Sequence, residues 1–436
     1  MATATLRDEV TELLQELIRL DTVNPPGNET QAAELLRDYL EPFGVECELY
    51  ARVPERASLV ARIRGRGDGP RLLFLSHTDT VLADPAEWTV DPWSGELRDG
   101  QVWGRGALDM KGQVAASAVA IASLAREGFR PRGDLILAAT ADEEVGDDPD
   151  YGLSWLCREH PEAVRAELAI NEGAGDRVEV AGRPYYLCAT AEKMSSPFVL
   201  RVHGRSGHAS LPSIADNALV KAAGLIEKLA ALSPEPRLIP EVEAFLEVVV
   251  GSVPSAGDAL GAARAIDSAA ATMIEPLLSF TLSPTMISAS HKRNVIPALT
   301  EVTVDCRLLP GQSQSDVEPV IRRQLGDGDY EIVWRAGQGG TRSSMDTPLW
   351  RAADSFIAEV EPGARVAPIC VAGFTDSHWL REAFGTVAYG FFPVKKMDPD
   401  LAARLVHSAD ERAEVDDLEL GVRWLRHAAM AVGSGG

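Results

Sequence analysis

Cysteine is sparse and follows no pattern. Cys47, Cys157, Cys188, Cys306 and Cys370 are odd in number, far apart and never in a Cys-x-x-Cys spacing. That argues against a disulfide framework and against a thiolate zinc site. Long apolar runs are missing too: none approaches the roughly 20 residues of a membrane span. Residues 1–20, MATATLRDEVTELLQELIRL, mix acidic with apolar side chains, unlike a signal peptide. A cytoplasmic protein with no membrane association is therefore expected. Positive charge is short: 42 Lys and Arg stand against 65 Asp and Glu, a net −23. Such a chain repels nucleic acid, because phosphate binding needs clustered cations. Most of the acidic excess reads as solvated surface, and part of it as charge that bound cations would neutralise. Only seven of the cations are lysine, which reads as coding bias and not as function. Internal repeats and low-complexity segments are absent.

What is present is a globular composition, 45% hydrophobic and 25% charged over 436 residues, enough for two or three domains. In RLLFLSHTDTV, the run Leu72 to Leu75 suits a strand buried on both faces and breaks into Ser76-His77-Thr78-Asp79. In an open α/β sheet, chemistry collects beyond the carboxyl ends of the strands. His77 and Asp79, two apart, project to one side of extended chain, and the carboxylate there can orient the imidazole. A second run, Leu135 to Ala139, ends in Asp142-Glu143-Glu144, and a third, Ala166 to Ile170, ends in Asn171-Glu172-Gly173. Adjacent carboxylates at a buried strand end are costly unless a cation sits between them. Asp109, in WGRGALDMKG, stands in a loop before an Ala-rich helix and by itself reads as an N-cap. Amphipathic helices are expected over residues 6–20 and from Thr30, as N-cap, to Leu40.

From about Thr190 the order becomes strand, helix, strand, strand, helix, strand, an α+β module with one sheet face covered by two helices. The expected fold is thus α/β: a mixed, mostly parallel sheet flanked by helices, carrying an inserted α+β domain with a four-stranded sheet. The boundaries are 1–189 and 338–436 for the first domain and 190–337 for the insertion, with hinges near Ala191 and Gly337 to Gly340. Residues 233–280 carry no usable motif.

Collected, the candidates are His77, Asp109, Glu144, Glu172 and His407. Nitrogen and oxygen donors without thiolate suit Zn²⁺, or Co²⁺ or Mn²⁺, in a hydrolytic site. Five such side chains can hold two ions if one carboxylate bridges them. Glu143, beside a ligand, is then free to move the proton of a water, and Asp79 to fix the tautomer of His77. Each residue taken singly also reads as an ordinary polar loop residue.

The ordered set HTDTV, WGRGALDMKG, ATADEEVG, NEG, GRSGHAS, NVIP, DCRLLPG, GFTDSH and HSADE resembles the di-zinc amidohydrolase family of aminoacylase, acetylornithine deacetylase, succinyl-diaminopimelate desuccinylase and glutamate carboxypeptidase, across essentially the whole chain. The resemblance implies that Asp109 bridges two zinc ions, one completed by His77 and Glu172, the other by Glu144 and His407, with Glu143 as general base. It further implies that the insertion is a lid and dimerisation domain, in which His208 stabilises an oxyanion, often that of the partner subunit. Asn294, Arg307, Thr375 and His378 become candidate substrate contacts, although Phe374 departs from a glycine found in many relatives. The implied activity is cleavage of an amide next to a free carboxylate, in an N-acyl amino acid or short peptide, by a homodimer. A dipeptidase or aminopeptidase of the same family is the alternative, and a binding protein that kept the fold and lost catalysis is another.

Overall fold

A computed structural model of the chain describes residues 5–145 and 150–434. Gly146, the last residue of ATADEEVG, lies outside the described residues. The chain divides into two compact units, residues 1–190, 343–368 and 375–436 forming the first and residues 191–342 with 369–374 the second.

The first unit is built on a mixed sheet of nine strands among the described residues. At its centre Leu135–Thr140, Leu72–His77, Leu168–Asn171 and Val387–Gly390 run parallel, in that order. Ala57–Ile63 joins the edge antiparallel to Leu135–Thr140. Both Leu72–His77 and Leu135–Thr140 are buried over their whole length, as expected of central strands covered on two faces. Strand period decides which helix each residue meets. Leu72, Phe74, Leu135 and Leu137 pack with the helices Leu6–Ile18, Lys111–Arg126 and Val415–Ser434. Leu73, Leu75, Ile136 and Ala138 pack on the opposite face with Leu153–Glu159 and Ser377–Phe384. Register then fixes the edge where chemistry can collect: His77 lies opposite Thr140, and Gly390 opposite Asn171.

The second unit holds an antiparallel sheet whose strands Phe198–His203 and Leu299–Leu308 alternate inward and outward. Their inward residues, Phe198, Leu200, Val302, Val304 and Cys306, bury against helices Ala218–Ala230 and Gln314–Leu325. This sheet has six strands where four were expected. Met194–Ser195 and Gln338–Gly339 are two-residue strands, too short to leave a sequence period. The same pairing accounts for the boundary: Gly339 lies opposite Met194 and Gln338 opposite Ser195, while Lys193 N–H donates to the Val371 carbonyl. Residues 338–342 and 369–374 therefore pack in the second unit, where the sequence pattern assigned everything past 337 to the first. Residues 233–280 form three further helices, Pro240–Val249, Ala259–Ile266 and Ser268–Ile274.

Two local expectations change. Thr30 is the first residue of its helix and not its cap; its hydroxyl donates to the Pro54 carbonyl and accepts from Ala57 N–H. Asp109 is no N-cap either: Met110 occupies that position before Lys111–Arg126, with no side-chain cap bond. Among the described residues no helix is long and apolar enough to cross a membrane.

Candidate metal centre

The strand ends of the first unit bring together the five side chains singled out as ligands. His77, the last residue of its strand, is 2% exposed. Its Nδ1 donates to the Asp79 backbone carbonyl at 3.0 Å, with the Asp79 carboxylate at 3.5 Å. That contact turns Nε2 toward the cavity, where Asp109 Oδ1 lies at 3.1 Å and Glu172 Oε2 at 3.8 Å. On the other side, His407 Nε2 stands 3.1 Å from Asp109 Oδ2 and 3.2 Å from Glu144 Oε2. Asp109 thus turns one carboxylate oxygen to each histidine. His407 reaches this position from a left-handed backbone conformation, φ +58°. Two overlapping sets of donor atoms, His77 with Glu143 and Glu172, and His77 with Asp109 and Glu144, each fit within 4.8 Å.

The electrostatics ask for cations. Burial, and after it the charge of Glu172, pushes Glu143 well above the usual carboxylate range. Burial and then Asp109 push Glu172 up to about 7. Hydrogen bonds to Asp109 and then Glu144 raise His407 to about 10. For His77 burial opposes charge, yet its contacts with Asp109, Asp79 and Glu172 carry it well above the ordinary histidine value. Glu144 Oε1 is buried and, among the described residues, has no hydrogen-bond partner. Oxygen and imidazole donors, an orphaned carboxylate oxygen and a carboxylate with two outward-facing oxygens fit a pair of divalent ions.

A supporting layer holds these groups, and much of it escaped the sequence reading. The Asp79 carboxylate, fully buried, accepts from the backbone N–H of Glu143 and Glu144 at 3.2 and 3.1 Å, and from Asn24 Nδ2 at 2.9 Å. It therefore pins the Glu143-Glu144 turn, besides lying near His77. Asn24 also donates to Asp142 Oδ1, which pairs with Arg56 at 2.9 Å; Arg56 in turn grips Glu29 through two bonds. Glu411 is buried as well. Its carboxylate accepts from the backbone of Gly106, Leu108 and Asp109 and from Arg105 Nη1 at 2.6 Å. Asp376 is buried, accepts from Thr140 Oγ1 at 3.3 Å, and is pushed up to about 8, chiefly by burial. Glu411 and Asp376 sit inside HSADE and GFTDSH, so the motifs contained them. Asn24, Arg56 and Glu29 lie in none of those motifs.

The remaining candidates divide between the units. Asn171 Nδ2 ties Thr375 Oγ1 and Ser377 Oγ to the strand end before Glu172, at 3.3 and 3.1 Å. His378 is 1% exposed, with Nδ1 donating to the Thr375 carbonyl at 2.7 Å. In the second unit His208 is exposed and pairs with Val295. Its Nδ1 accepts from Ser210 N–H at 3.2 Å, which places the proton of the neutral ring on Nε2. Ala209 N–H donates to the Asn294 carbonyl, so Asn294 lies beside His208. Arg307 forks onto Asp305 through Nε and Nη2 at 2.9 and 3.1 Å, a pairing that leaves Nη1 outside it.

Known proteins resemble this chain in sequence and fold. Residues 73–431 match the model described as Peptidase family M20/M25/M40. A succinyl-diaminopimelate desuccinylase of Rhodospirillum centenum is 35% identical over 425 residues, 93% of this chain and 92% of the relative. An N-fatty-acyl-amino acid synthase/hydrolase of Xenopus tropicalis is 26% identical over 448 residues, 96% and 85% of the two chains. Among solved structures, an M20 family metallo-carboxypeptidase from Sulfolobus solfataricus superposes with a TM-score of 0.72 at 19% identity, covering 98% of this chain and 100% of its own.

Proposed function

The chain belongs to the M20/M25/M40 peptidase family and is a metal-dependent hydrolase; on that premise we propose that it cleaves an amide bond next to a free carboxylate, in an N-acyl amino acid or at the end of a short peptide. The observation that carries the reading is Asp109 held between His77 and His407 with one oxygen toward each. In this reading His77, Asp109 and Glu172 would hold one ion, and Asp109, Glu144 and His407 the other, with zinc favoured by the donor set and Co²⁺ or Mn²⁺ as substitutes. Such ions, when bound, polarise the amide carbonyl and lower the pKa of water.

The protein's own part follows from the environment of each side chain. Glu143, whose high proton affinity comes from burial and the charge of Glu172, takes the proton of the attacking water and passes it to the leaving amine. Asp79 sets the height of Glu143 through its backbone N–H and supports the His77 ring. His208 offers Nε2–H as an oxyanion donor, from its own or a partner subunit of a homodimer. Arg307 and Asn294 receive the substrate carboxylate, with Thr375 and His378 shaping the pocket. The test is Glu143→Ala. It should still bind two zinc ions yet lose about 10²–10⁴-fold in turnover of N-acetyl amino acids. Full turnover by a zinc-loaded Glu143→Ala protein would remove this base, and faster turnover of the unblocked dipeptide than of its N-acetyl counterpart would favour a dipeptidase.

A further inference from the structure

The first unit contains a cavity of about 350 Å³ whose wall includes Asp109 and Glu172, within the size range of small-molecule sites. Phe392, Val394, Met397, Val406 and Leu418 are among the apolar side chains that line it. No Lys, Arg or His lines it among the described residues. Two of its acidic members have partners of their own: Asp417 accepts three backbone N–H groups, from Lys395, Lys396 and Met397, each at 2.9 Å. Glu414 accepts from Gln101 at 2.7 Å and pairs with Lys396 Nζ at 3.2 Å. Gln113 is 5% exposed, lines the cavity, and its Nε2 has no hydrogen-bond partner among the described residues.

We propose that this cavity is the acyl subsite, taking an uncharged, mainly aliphatic acyl group and rejecting acyl groups that end in a carboxylate. The inference rests on the amide-hydrolase reading above: the acyl half of the substrate needs no cation, and the cavity beside Asp109 and Glu172 has no Lys, Arg or His in its lining. A succinyl-type tail would bring a second carboxylate beside Asp176, Glu414 and Asp417 with no lining Lys, Arg or His to meet it, an arrangement that burial makes costly. The apolar wall instead rewards each methylene removed from water.

The experiment is calorimetric titration of zinc-loaded Glu143→Ala protein with N-acetyl-, N-butanoyl-, N-hexanoyl- and N-succinyl-alanine, alongside wild-type turnover of the same series. Kd should fall about fourfold per added methylene until the cavity is filled, and the succinyl compound should bind at least about tenfold more weakly than the butanoyl one. Ala403→Phe, placed on the exposed side of the helix Pro399–Leu405 that lines the cavity, should cancel the gain beyond butanoyl. A flat or undetectable series, or succinyl binding equal to butanoyl, overturns the subsite. Graded binding with no wild-type turnover of any member would instead sink the hydrolase reading and leave the subsite standing.

Discussion

Glu411→Gln isolates the support beneath Asp109. In the native protein one carboxylate oxygen accepts from Leu108 and Asp109 N–H at 2.7 and 3.1 Å, and the other from Gly106 N–H and Arg105 Nη1 at 3.0 and 2.6 Å. Glutamine has nearly the same shape but only one oxygen, so its NH₂ must face one pair of donors. Two buried donors then lose their acceptor, at about 1–3 kcal/mol each. If the lost pair includes Arg105, 3% exposed, a buried cation is stranded, a loss of about 3–5 kcal/mol. We expect a destabilisation of about 3–6 kcal/mol, a large share of the roughly 5–15 kcal/mol of a folded domain. Because the Asp109 backbone is one of the donors released, zinc affinity should fall about 10–100-fold, as for other outer-layer partners of metal ligands. Urea unfolding of the metal-free protein reads the first number and chelator competition the second. A Glu411→Gln protein with native stability and native zinc affinity would refute the claim that this carboxylate holds the loop.

Other predictions rest on different contacts. Arg56→Met removes the cation shared by Glu29 and Asp142, buried at 0% and 6% exposure, and should cost about 3–5 kcal/mol; a urea midpoint within error of native would contradict it. Glu361 accepts from Arg177 and Tyr186, and those bonds, Arg177 first, hold its carboxyl down at about 2 against an ordinary 4.5. A depressed carboxylate contributes stability that is present above pH 4.5 and is lost as pH falls toward about 2. Glu361→Gln should therefore flatten the acid-unfolding curve across that window, and an unchanged slope would count against the pairing.

The parts of the site legible in the sequence share a local signature. His77, Glu143, Glu144 and Glu172 each follow an apolar run, so strand burial and strand end can both be read from neighbours in the chain. His407 was legible only through its motif, since its position depends on a left-handed turn and on contact with Asp109, some 300 residues earlier. Residues 233–280 gave no reading, and they fold into three short helices. Asp79 was read for its effect on His77, but its carboxylate chiefly anchors the Glu143-Glu144 turn. Asn24, Arg56 and Glu29 act through contacts that close only when distant segments meet.

The sequence alone determined which strands would be buried, where each would break into polar chain, and that the donors emerging there were oxygen and nitrogen without sulfur. Those properties depend on residue type and near-neighbour spacing, which folding does not alter. Tertiary structure alone decided that parallel register places His77 level with Thr140, that the two oxygens of Asp109 face different histidines, and that a cavity whose described lining holds no Lys, Arg or His adjoins them. Such facts are distances between residues far apart in the chain, set by how sheet and helices pack, and no local pattern encodes them.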